Sequence, residues 1–231
     1  MQRIPVLLIG PAGCGKSHLA AQIAKALGLR FGSISCSAGM TEGHLTGRLL
    51  PTAENGRFEY QTSQFVDFYE NGGVFLLDEI DAADSNTLLV INQATANGHM
   101  PVPNRVNNPV ATRHADFILI AAANTFGTGA NRLYVGRNQL DESTLDRFRV
   151  GQVLMDYDER LENKLVSSAD LRSAFRAIRK RVADNKLRRV VSTRAMIQAQ
   201  TMIQADWTLD KATKQLTSGW TPDELSKAGV N

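Results

Sequence analysis

Residues 10–17 constrain the fold of this chain more than any other segment, because they read Gly-Pro-Ala-Gly-Cys-Gly-Lys-Ser. They fit the pattern G-x-x-x-x-G-K-[ST] of a phosphate-binding loop. The segment follows an apolar run, Val6–Ile9, and opens a stretch with helical spacing, Lys16–Leu27. A glycine-rich turn between a buried strand and a helix N-terminus directs backbone N–H groups at an anion. The pattern therefore predicts a nucleotide phosphate site within an α/β fold.

The loop also predicts individual nucleotide contacts. Lys16 is expected to contact the β- and γ-phosphates, and Ser17 is expected to bind Mg²⁺. A chance match in a glycine-rich turn is the alternative, and the strand and helix patterns on either side argue against it. The whole predicted set is Pro11, Ala12, Gly13, Cys14, Gly15, Lys16, Ser17 and His18.

Apolar runs alternate with helical spacing as far as residue 155, which predicts a parallel sheet with helices on both faces. From Asp156 onward only helical spacing remains, which predicts a small helical domain. Four runs have the character of buried strands, and Ser33–Cys36 is a shorter candidate; the four are Val6–Ile9, Val74–Leu77, Phe117–Ala122 and Val150–Met155. The predicted helices of the first part are Lys16–Leu27, Ser63–Asn71 and Asp84–Asn97. Those of the second part are Leu161–Val166, Leu171–Val182, Thr193–Ala205 and Leu209–Leu216.

Polar residues at the ends of two predicted strands complete the candidate chemistry. Asp78 and Glu79 follow Val74–Leu77; Asp78 is expected to hold Mg²⁺, and Glu79 to act as general base toward an attacking water. Apolar runs followed by acids are common, so the argument depends on the pairing with Lys16, 62 residues earlier. Asn124 follows Phe117–Ala122 and would orient the same water, although asparagine also favours caps and turns.

Composition excludes several classes of protein. Hydrophobic residues make up 43% of the chain and charged residues 21%, as in ordinary globular proteins. The longest apolar run, Phe117–Ala123, is far shorter than the ~18 residues of a membrane span. Two cysteines favour a reducing compartment, and Pro5 interrupts the short apolar run that could imitate a signal peptide. We therefore expect a cytoplasmic protein without a membrane partner.

The net charge of +3 is unevenly distributed. Residues 1–155 contain 12 basic and 13 acidic residues, whereas residues 156–231 contain 14 basic and 10 acidic. Much of the excess lies in a run with helical spacing, which is interpreted first as a solvated face, then as a subunit contact, and last as a nucleic-acid patch. The run comprises Arg172, Arg176, Arg179, Lys180, Arg181, Lys186, Arg188 and Arg189.

Five motifs in order give the chain a specific resemblance. They are GPAGCGKS (10–17), ENGGVFLLDEIDAAD (70–84), HADFILIAAANT (114–125), YVGRNQLDESTLDRF (134–148) and VSTRA (191–195). Together they resemble AAA+ ATPases of the MoxR-type branch with a dynein-related AAA domain. That branch includes the CobS-like cobaltochelatase ATPase subunit and the CbbQ/NirQ-like activators. The first strand starts within five residues of Met1, so we expect no counterpart of the cobaltochelatase subunit's N-terminal domain.

The resemblance implies an architecture. Residues 1–155 would form an α/β nucleotide-binding core around a five-stranded parallel sheet of strand order 5-1-4-3-2. Residues 156–231 would form a small all-helical lid. Two segments that interrupt the alternation, 43–60 and 99–114, would be the helix-2 insert and the pre-sensor-1 hairpin of the family.

The resemblance also implies roles for three residues. Asn124 matches sensor 1, Arg194 matches sensor 2, and Arg147 matches the arginine finger that reaches the γ-phosphate of a neighbouring subunit. Arg137 and Arg149 are rival finger candidates. Arg147 could instead pair with a surface acid such as Asp146, and Arg194 could be an ordinary solvated helix residue.

The resulting prediction is a Mg-ATP hydrolase that works as a ring, most simply a hexamer, and remodels or activates a protein partner as a chaperone or chelatase-type motor. The resemblance suggests a partner with a von Willebrand A domain. A DNA-acting motor or loader is the alternative. A small-molecule kinase is a third interpretation, against which the acids at 78–79 and the Asp146-Arg147 pair argue.

Overall fold

The computed structural model describes residues 3–52, 56–127, 129–130, 133–134 and 136–230. Strands and helices within these ranges are numbered in chain order. The strands are β1 (Val6–Ile9), β2 (Phe31–Ser35), β3 (Arg48–Pro51), β4 (Phe58–Gln61), β5 (Gly73–Asp78), β6 (His99–Pro101), β7 (Val110–Thr112), β8 (Phe117–Ala123) and β9 (Gln152–Leu154). The α-helices are α1 (Lys16–Ala26), α2 (Glu42–Thr46), α3 (Gln64–Asn71), α4 (Ser85–Ala96), α5 (Glu142–Phe148), α6 (Glu159–Leu165), α7 (Ala169–Asp184), α8 (Thr193–Gln204), α9 (Leu209–Leu216) and α10 (Pro222–Ala228).

Five strands form one parallel sheet in the order β2-β5-β8-β1-β9. Numbered among themselves along the chain, they run 5-1-4-3-2, the order that the resemblance implies. The predicted fold class, a parallel α/β sheet with helices, is confirmed. Since strands β1, β5 and β8 all point the same way, their carboxyl ends lie at one edge of the sheet. The glycine-rich loop follows β1, and polar residues stand at the ends of β5 and β8.

The middle of the sheet is the most buried part of the chain. All seven residues of β8 are buried, as are the first five of β5, which is why they appear in sequence as unbroken apolar runs. The last strand differs from its prediction. Val150–Met155 was expected to be a buried strand, but only Gln152–Leu154 is extended, and these residues are exposed at the sheet edge beyond β1. Val150 belongs to the short 3₁₀ turn Arg149–Gly151 that precedes it.

An aromatic cluster packs α3 onto the sheet. Phe65 and Tyr69, one helical turn apart, meet Phe75 of β5 and Phe117 of β8, with ring centroids 5.1–6.0 Å apart. The rings meet at 66–81°, the edge-to-face geometry that aromatic quadrupoles favour. The cluster fixes the start of β5 and thus the place at which its carboxyl end emerges.

Side-chain caps begin three helices of the first unit. Asp84 is the N-cap of α4, and its carboxylate accepts the N–H of Thr87. Ser63 caps α3 and Asp141 caps α5 in the same way, accepting the N–H of Val66 and of Thr144 respectively. Each cap satisfies a backbone donor that the first turn leaves free.

Two antiparallel hairpins interrupt the α/β alternation. Strands β3 and β4 pair within the segment 43–60, of which residues 53–55 lie outside the described ranges, and β6 and β7 pair within 99–114. In the first hairpin Leu49, Leu50 and Phe58 are exposed.

The chain divides into two compact units. The first comprises the chain up to Ile9 together with Lys16–Leu154, and it contains the sheet and α1–α5. The second comprises Gly10–Gly15 and the residues from Met155 onward, and its described elements are the helices α6–α10.

The core of the second unit follows helical periodicity. Leu171, Phe175, Ile178 and Val182 recur every three or four residues on α7 and are buried. They belong to one cluster with Met196 of α8 and further apolar residues of the unit. None of the helices within the described ranges is long and apolar enough to cross a membrane.

Candidate active site

The predicted phosphate loop has the backbone that its glycines allow. The chain leaves β1 at Ile9 and enters α1 at Lys16, with Gly13 at φ +74° and Gly15 at φ +101°. Side chains with a Cβ rarely adopt such angles, so both positions favour glycine. Lys16 is buried, whereas Ser17 and His18 are exposed on the first turn of the helix.

Lys16 reaches the end of the central strand β8. Its Nζ donates to Oδ1 of Asn124 over 2.9 Å. The contact connects residues 108 positions apart in sequence. The predicted phosphate lysine and the predicted water-orienting amide therefore belong to one cluster in the first unit.

Ser17 and Asp78 meet in the same cluster. The Ser17 hydroxyl donates to Oδ2 of Asp78 over 2.5 Å, and the other carboxylate oxygen of Asp78 accepts the N–H of Glu79 over 3.0 Å. The hydroxyl and the carboxylate together offer oxygen ligands, which Mg²⁺ prefers. Mg²⁺ is usually bound through one or two carboxylates and substrate phosphates. The residues present thus fit the predicted magnesium site.

Glu79 lies at a sharp turn directly after β5. Its backbone is left-handed, with φ 57° and ψ 41°, and it begins the 3₁₀ turn Ile80–Ala82. A non-glycine residue in this conformation carries strain, which structures tend to retain at functional positions. The Glu79 side chain is about half exposed, and its Oε1 accepts a hydrogen bond from Nη2 of Arg137 over 2.9 Å.

The pairing of Arg137 with Asp81 and Glu79 is not indicated by the sequence, which offers Arg137 only as a rival finger candidate and assigns no role to Asp81. Asp81 is fully buried, and its Oδ2 accepts the N–H groups of Asn124 and Thr125 and the Thr125 hydroxyl. Arg137 forms an ion pair with both Glu79 and Asp81. The only signal available was a third acid soon after Asp78-Glu79; an aspartate so close to a buried strand needs a nearby cation or several N–H donors.

The carboxylates also affect a thiol beside them. Burial raises the pKa of Cys36 to about 12, and the negative charges of Asp78, Asp81 and Glu79 act in the same direction. The Cys36 N–H donates to the Asp78 carbonyl oxygen over 2.8 Å, so this thiol lies beside the end of β5. Its raised pKa keeps it protonated and unreactive at neutral pH.

In the second unit the phosphate loop contacts the start of α8. A Cβ built on Gly13 would lie 2.7 Å from Cβ of Ser192, which caps α8, and 3.3 Å from Cβ of Arg194. The carbonyl of Ala12 accepts a hydrogen bond from the Tyr157 hydroxyl over 2.9 Å. The loop is therefore packed closely against the helix that carries the predicted sensor 2.

Arg147 occupies a different part of the first unit. It lines an open pocket of about 420 Å³ with residues of α4 and β6, among them Asn92 and His99. Within the part of the chain that the structure describes, its Nε is buried and has no hydrogen-bond partner. Asp146, the surface acid considered as its partner, instead pairs with Arg149 over 3.1 Å.

Comparison with known proteins places these features in a family. Residues 5–148 match the model of the AAA domain, dynein-related subfamily. The chain is 30% identical over 212 residues to Protein CbbQ of Hydrogenophilus thermoluteolus, covering 87% of this chain and 74% of that protein. It is 25% identical to the denitrification regulatory protein NirQ of Stutzerimonas stutzeri, covering 89% of this chain and 74% of that protein.

Protein NorQ of Paracoccus denitrificans is a shorter match, 26% identical over 52% of this chain and 44% of that protein. The family model covers more than half of the chain, and it spans both the phosphate loop and the strand ends that carry Asp78, Glu79 and Asn124. The chain belongs to the dynein-related subfamily of AAA domains, in the MoxR-type branch of the AAA+ family to which CbbQ, NorQ and NirQ also belong.

Proposed function

We propose that this protein hydrolyses ATP with Mg²⁺ and uses the reaction to remodel or activate a protein partner. Residues 1–155 act as the nucleotide-binding core, with 43–60 and 99–114 as its inserts, and residues 156–231 act as the helical lid. The observation that carries the proposal is the pair of contacts from Lys16 to Asn124 and from Ser17 to Asp78. They bring Lys16 and Ser17, at the start of α1, together with the ends of two buried strands, as an ATPase requires.

In the proposed reaction, the oxygen of a water molecule bonds to the γ-phosphorus of ATP while the bond to the β,γ-bridging oxygen breaks. Glu79 accepts the proton that this water loses, and ADP and phosphate are released. Lys16 neutralises negative charge on the β- and γ-phosphates, and Asn124 orients the water. Ser17 and Asp78 would hold Mg²⁺, whose positive charge assists the departure of ADP.

The backbone N–H groups of the loop provide the remaining phosphate contacts. The predicted set runs from Pro11 to His18, and Gly13 and Gly15 have the positive φ angles that such a cradle uses. Arg194 is proposed as the sensor 2 residue, and its support is the close packing of Gly13 against the start of α8.

We further propose that the active form is a ring, most simply a homohexamer, in which Arg147 contacts the nucleotide of the neighbouring subunit. Its Nε is buried and has no hydrogen-bond partner among the residues that the structure describes. This supports the role, because a desolvated guanidinium N–H favours an anionic acceptor. By family resemblance alone, the partner is a protein with a von Willebrand A domain.

The DNA-acting alternative is weakened by the contacts of the basic run. Arg176 and Arg179 pair with Glu162, and Arg189 pairs with Glu224. Arg172 and Arg181 donate to backbone carbonyls, at Ser167 and Ala228 respectively. Five of the eight cations therefore hold the second unit together and do not form an open patch for phosphates.

ATP turnover by the purified full chain tests the proposal. Glu79→Gln is expected to bind ATP normally and to lower kcat by about 10²–10⁴-fold, the usual value of a general base. Lys16→Ala is expected to lose ATP binding. Normal turnover by Glu79→Gln would refute the base assignment, and stimulation by DNA with a steep salt dependence would favour the alternative.

A further inference from the structure

Arg137 lies where it connects two residues of the proposed reaction. Its guanidinium donates from Nη2 to Oε1 of Glu79 over 2.9 Å and from Nη1 to Oδ1 of Asp81 over 3.3 Å. The Arg137 side chain is only 13% exposed. A planar guanidinium can hold two carboxylates in fixed directions at once, which an ammonium group cannot do.

Asp81 carries the connection to the neighbouring strand. While Oδ1 meets Arg137, Oδ2 accepts the N–H of Asn124 over 3.2 Å, the N–H of Thr125 over 3.1 Å and the Thr125 hydroxyl over 2.9 Å. The side chain of Asp81 is completely buried. Both carboxylate oxygens of Asp81 therefore accept hydrogen bonds, and these bonds fix the turn after β8 to the turn after β5.

The segment that carries Arg137 is attached to the same turn. The N–H of Asn138 donates to the carbonyl of Asp81 over 2.7 Å, and Nδ2 of Asn138 donates to the carbonyl of Ala83 over 2.8 Å. Arg137 is thus held by its own side chain and by the contacts of the next residue, Asn138. Its position relative to Glu79 is determined by the 3₁₀ turn Ile80–Ala82 and not by a loose surface contact.

We propose that Arg137 is a positioning residue that acts within its own subunit, holding the Glu79 carboxylate in register with Asn124 through Asp81. The inference depends on the proposed ATP hydrolysis. It gives Arg137 a role other than that of an arginine finger, because its guanidinium is occupied by two carboxylates of the same chain. Glu79 needs such a support, since its half-exposed side chain extends from a strained backbone.

Kinetics of Arg137→Ala and Arg137→Lys test the inference. Misplacing the base should lower kcat by about 10–100-fold and leave the dissociation constant for ATP unchanged. Arg137→Lys should remain impaired, because lysine retains the charge but not the two-pronged geometry. Full rescue by lysine would reduce the role to charge balance and overturn the proposal, as would an unchanged kcat in Arg137→Ala.

Arg30→Ala is the matched control. Like Arg137, Arg30 pairs with an aspartate of the first unit, in this case Asp67, and it also donates to the backbone carbonyl of Gly72. Its loss should lower the melting temperature without lowering kcat at a temperature where both variants are folded. If Arg30→Ala reduced kcat as much as Arg137→Ala, the effect would be one of stability and the positioning role would be rejected.

Mixing subunits separates the proposed role from that of a finger. In a mixture of Arg137→Ala and Glu79→Gln subunits, every subunit lacks one member of the Arg137–Glu79 pair, so no activity should return. Recovery would mean that Arg137 acts on a neighbour and would overturn the inference while leaving the ATPase proposal intact. Absence of ATP turnover in the wild-type protein would overturn both the ATPase proposal and the positioning role of Arg137.

Discussion

At the scale of single residues, two glycines with positive φ show how the same backbone angle can serve different purposes. Gly13, in the phosphate loop, has φ +74°, and an added Cβ would lie 2.7 Å from Ser192. Gly28, after α1, has φ +66°, but an added Cβ would meet no atom within 4 Å. Replacement by alanine would therefore strain the backbone at both positions, but it would cause a steric clash only at Gly13.

Gly13→Ala should weaken ATP binding at least about tenfold, a loss of ~1.4 kcal/mol, because the loop must shift its phosphate-facing N–H groups. Gly28→Ala should cost about 1–2 kcal/mol of folding free energy from the left-handed backbone and leave ATP affinity unchanged. Calorimetric titration with ATP and urea unfolding measure the two effects. Equal ATP affinity in both variants would show that the contact at Gly13 is unimportant.

A site residue could be predicted from the sequence when it belongs to a local motif, and it could not when its role depends on a contact with a distant residue. Lys16, Ser17, Asp78 and Asn124 follow strands or glycines in recognisable patterns, and the structure brings them together in two direct contacts. Asp81 and Arg137 were not predicted as a pair, because their contact spans 56 residues and depends on how the chain returns after β8. Short-range patterns contain no information on such a return.

At the scale of elements, one buried carboxylate joins three helices of the second unit. Glu162 of α6 is fully buried; it pairs with Arg176 and Arg179 of α7 and accepts a hydrogen bond from the Thr193 hydroxyl of α8. Burial alone would raise the pKa of this carboxyl, but the bonds from Arg179, Thr193 and Arg176 outweigh burial, and the pKa is lowered. The ionised form is therefore the one that stabilises the unit.

Glu162→Gln should destabilise the second unit by about 3–5 kcal/mol at pH 7, since it leaves two arginines without their partner. Because the pKa is lower in the folded than in the unfolded chain, the contribution of Glu162 is complete above its unfolded pKa and is lost as pH falls through the folded value. The difference from wild type should shrink accordingly in acid. Both tryptophans, Trp207 and Trp220, lie in this unit, so their fluorescence during urea unfolding reports it.

The control for this variant is Glu159→Gln on the same helix. Glu159 is largely exposed and pairs with Arg176 over 3.5 Å, so its loss should change stability by at most about 1 kcal/mol. A similar loss in both variants would show that the buried ion pairs of Glu162 stabilise the unit no more than an exposed pair does. A Glu162→Gln effect that does not change with pH would show that the charge of Glu162 is not what stabilises the unit.

Elements with strong periodicity or clear caps were predicted well, and short ones were not. Leu209–Leu216 was predicted with its observed bounds. Helix α10 was missed although Thr221, Pro222 and Glu224 form a capping box with proline in the first turn. Seven residues offer too few helical turns for a periodic hydrophobic pattern. Strand β9 was overextended because apolar residues at an exposed edge look like buried ones in sequence.

At the scale of the whole molecule, the question is whether one chain contains a complete site. The first unit contains the contacts from Lys16 to Asn124 and from Ser17 to Asp78. Arg147 of α5 lines a separate pocket with residues of α4 and β6, and within the described ranges its Nε has no hydrogen-bond partner. Arg137 is occupied by Glu79 and Asp81, and Arg149 pairs with Asp146 and Glu142 of the preceding helix, α5. Of the three finger candidates, Arg147 is thus the one without an acidic partner among the described residues.

A ring with a trans finger predicts complementation between two inactive variants. Lys16→Ala subunits lack nucleotide binding but retain Arg147, and Arg147→Ala subunits have the reverse defect. In an equal, random mixture, about a quarter of the head-to-tail interfaces would pair an intact Lys16 with an intact Arg147 from the neighbour. ATPase activity should therefore rise well above that of either variant alone, with a maximum near equal proportions. No recovery at any ratio would indicate a site that works within a single chain. If instead Arg149→Ala is inactive alone and recovers in a mixture with Lys16→Ala, while Arg147→Ala does not, the finger role would pass to Arg149.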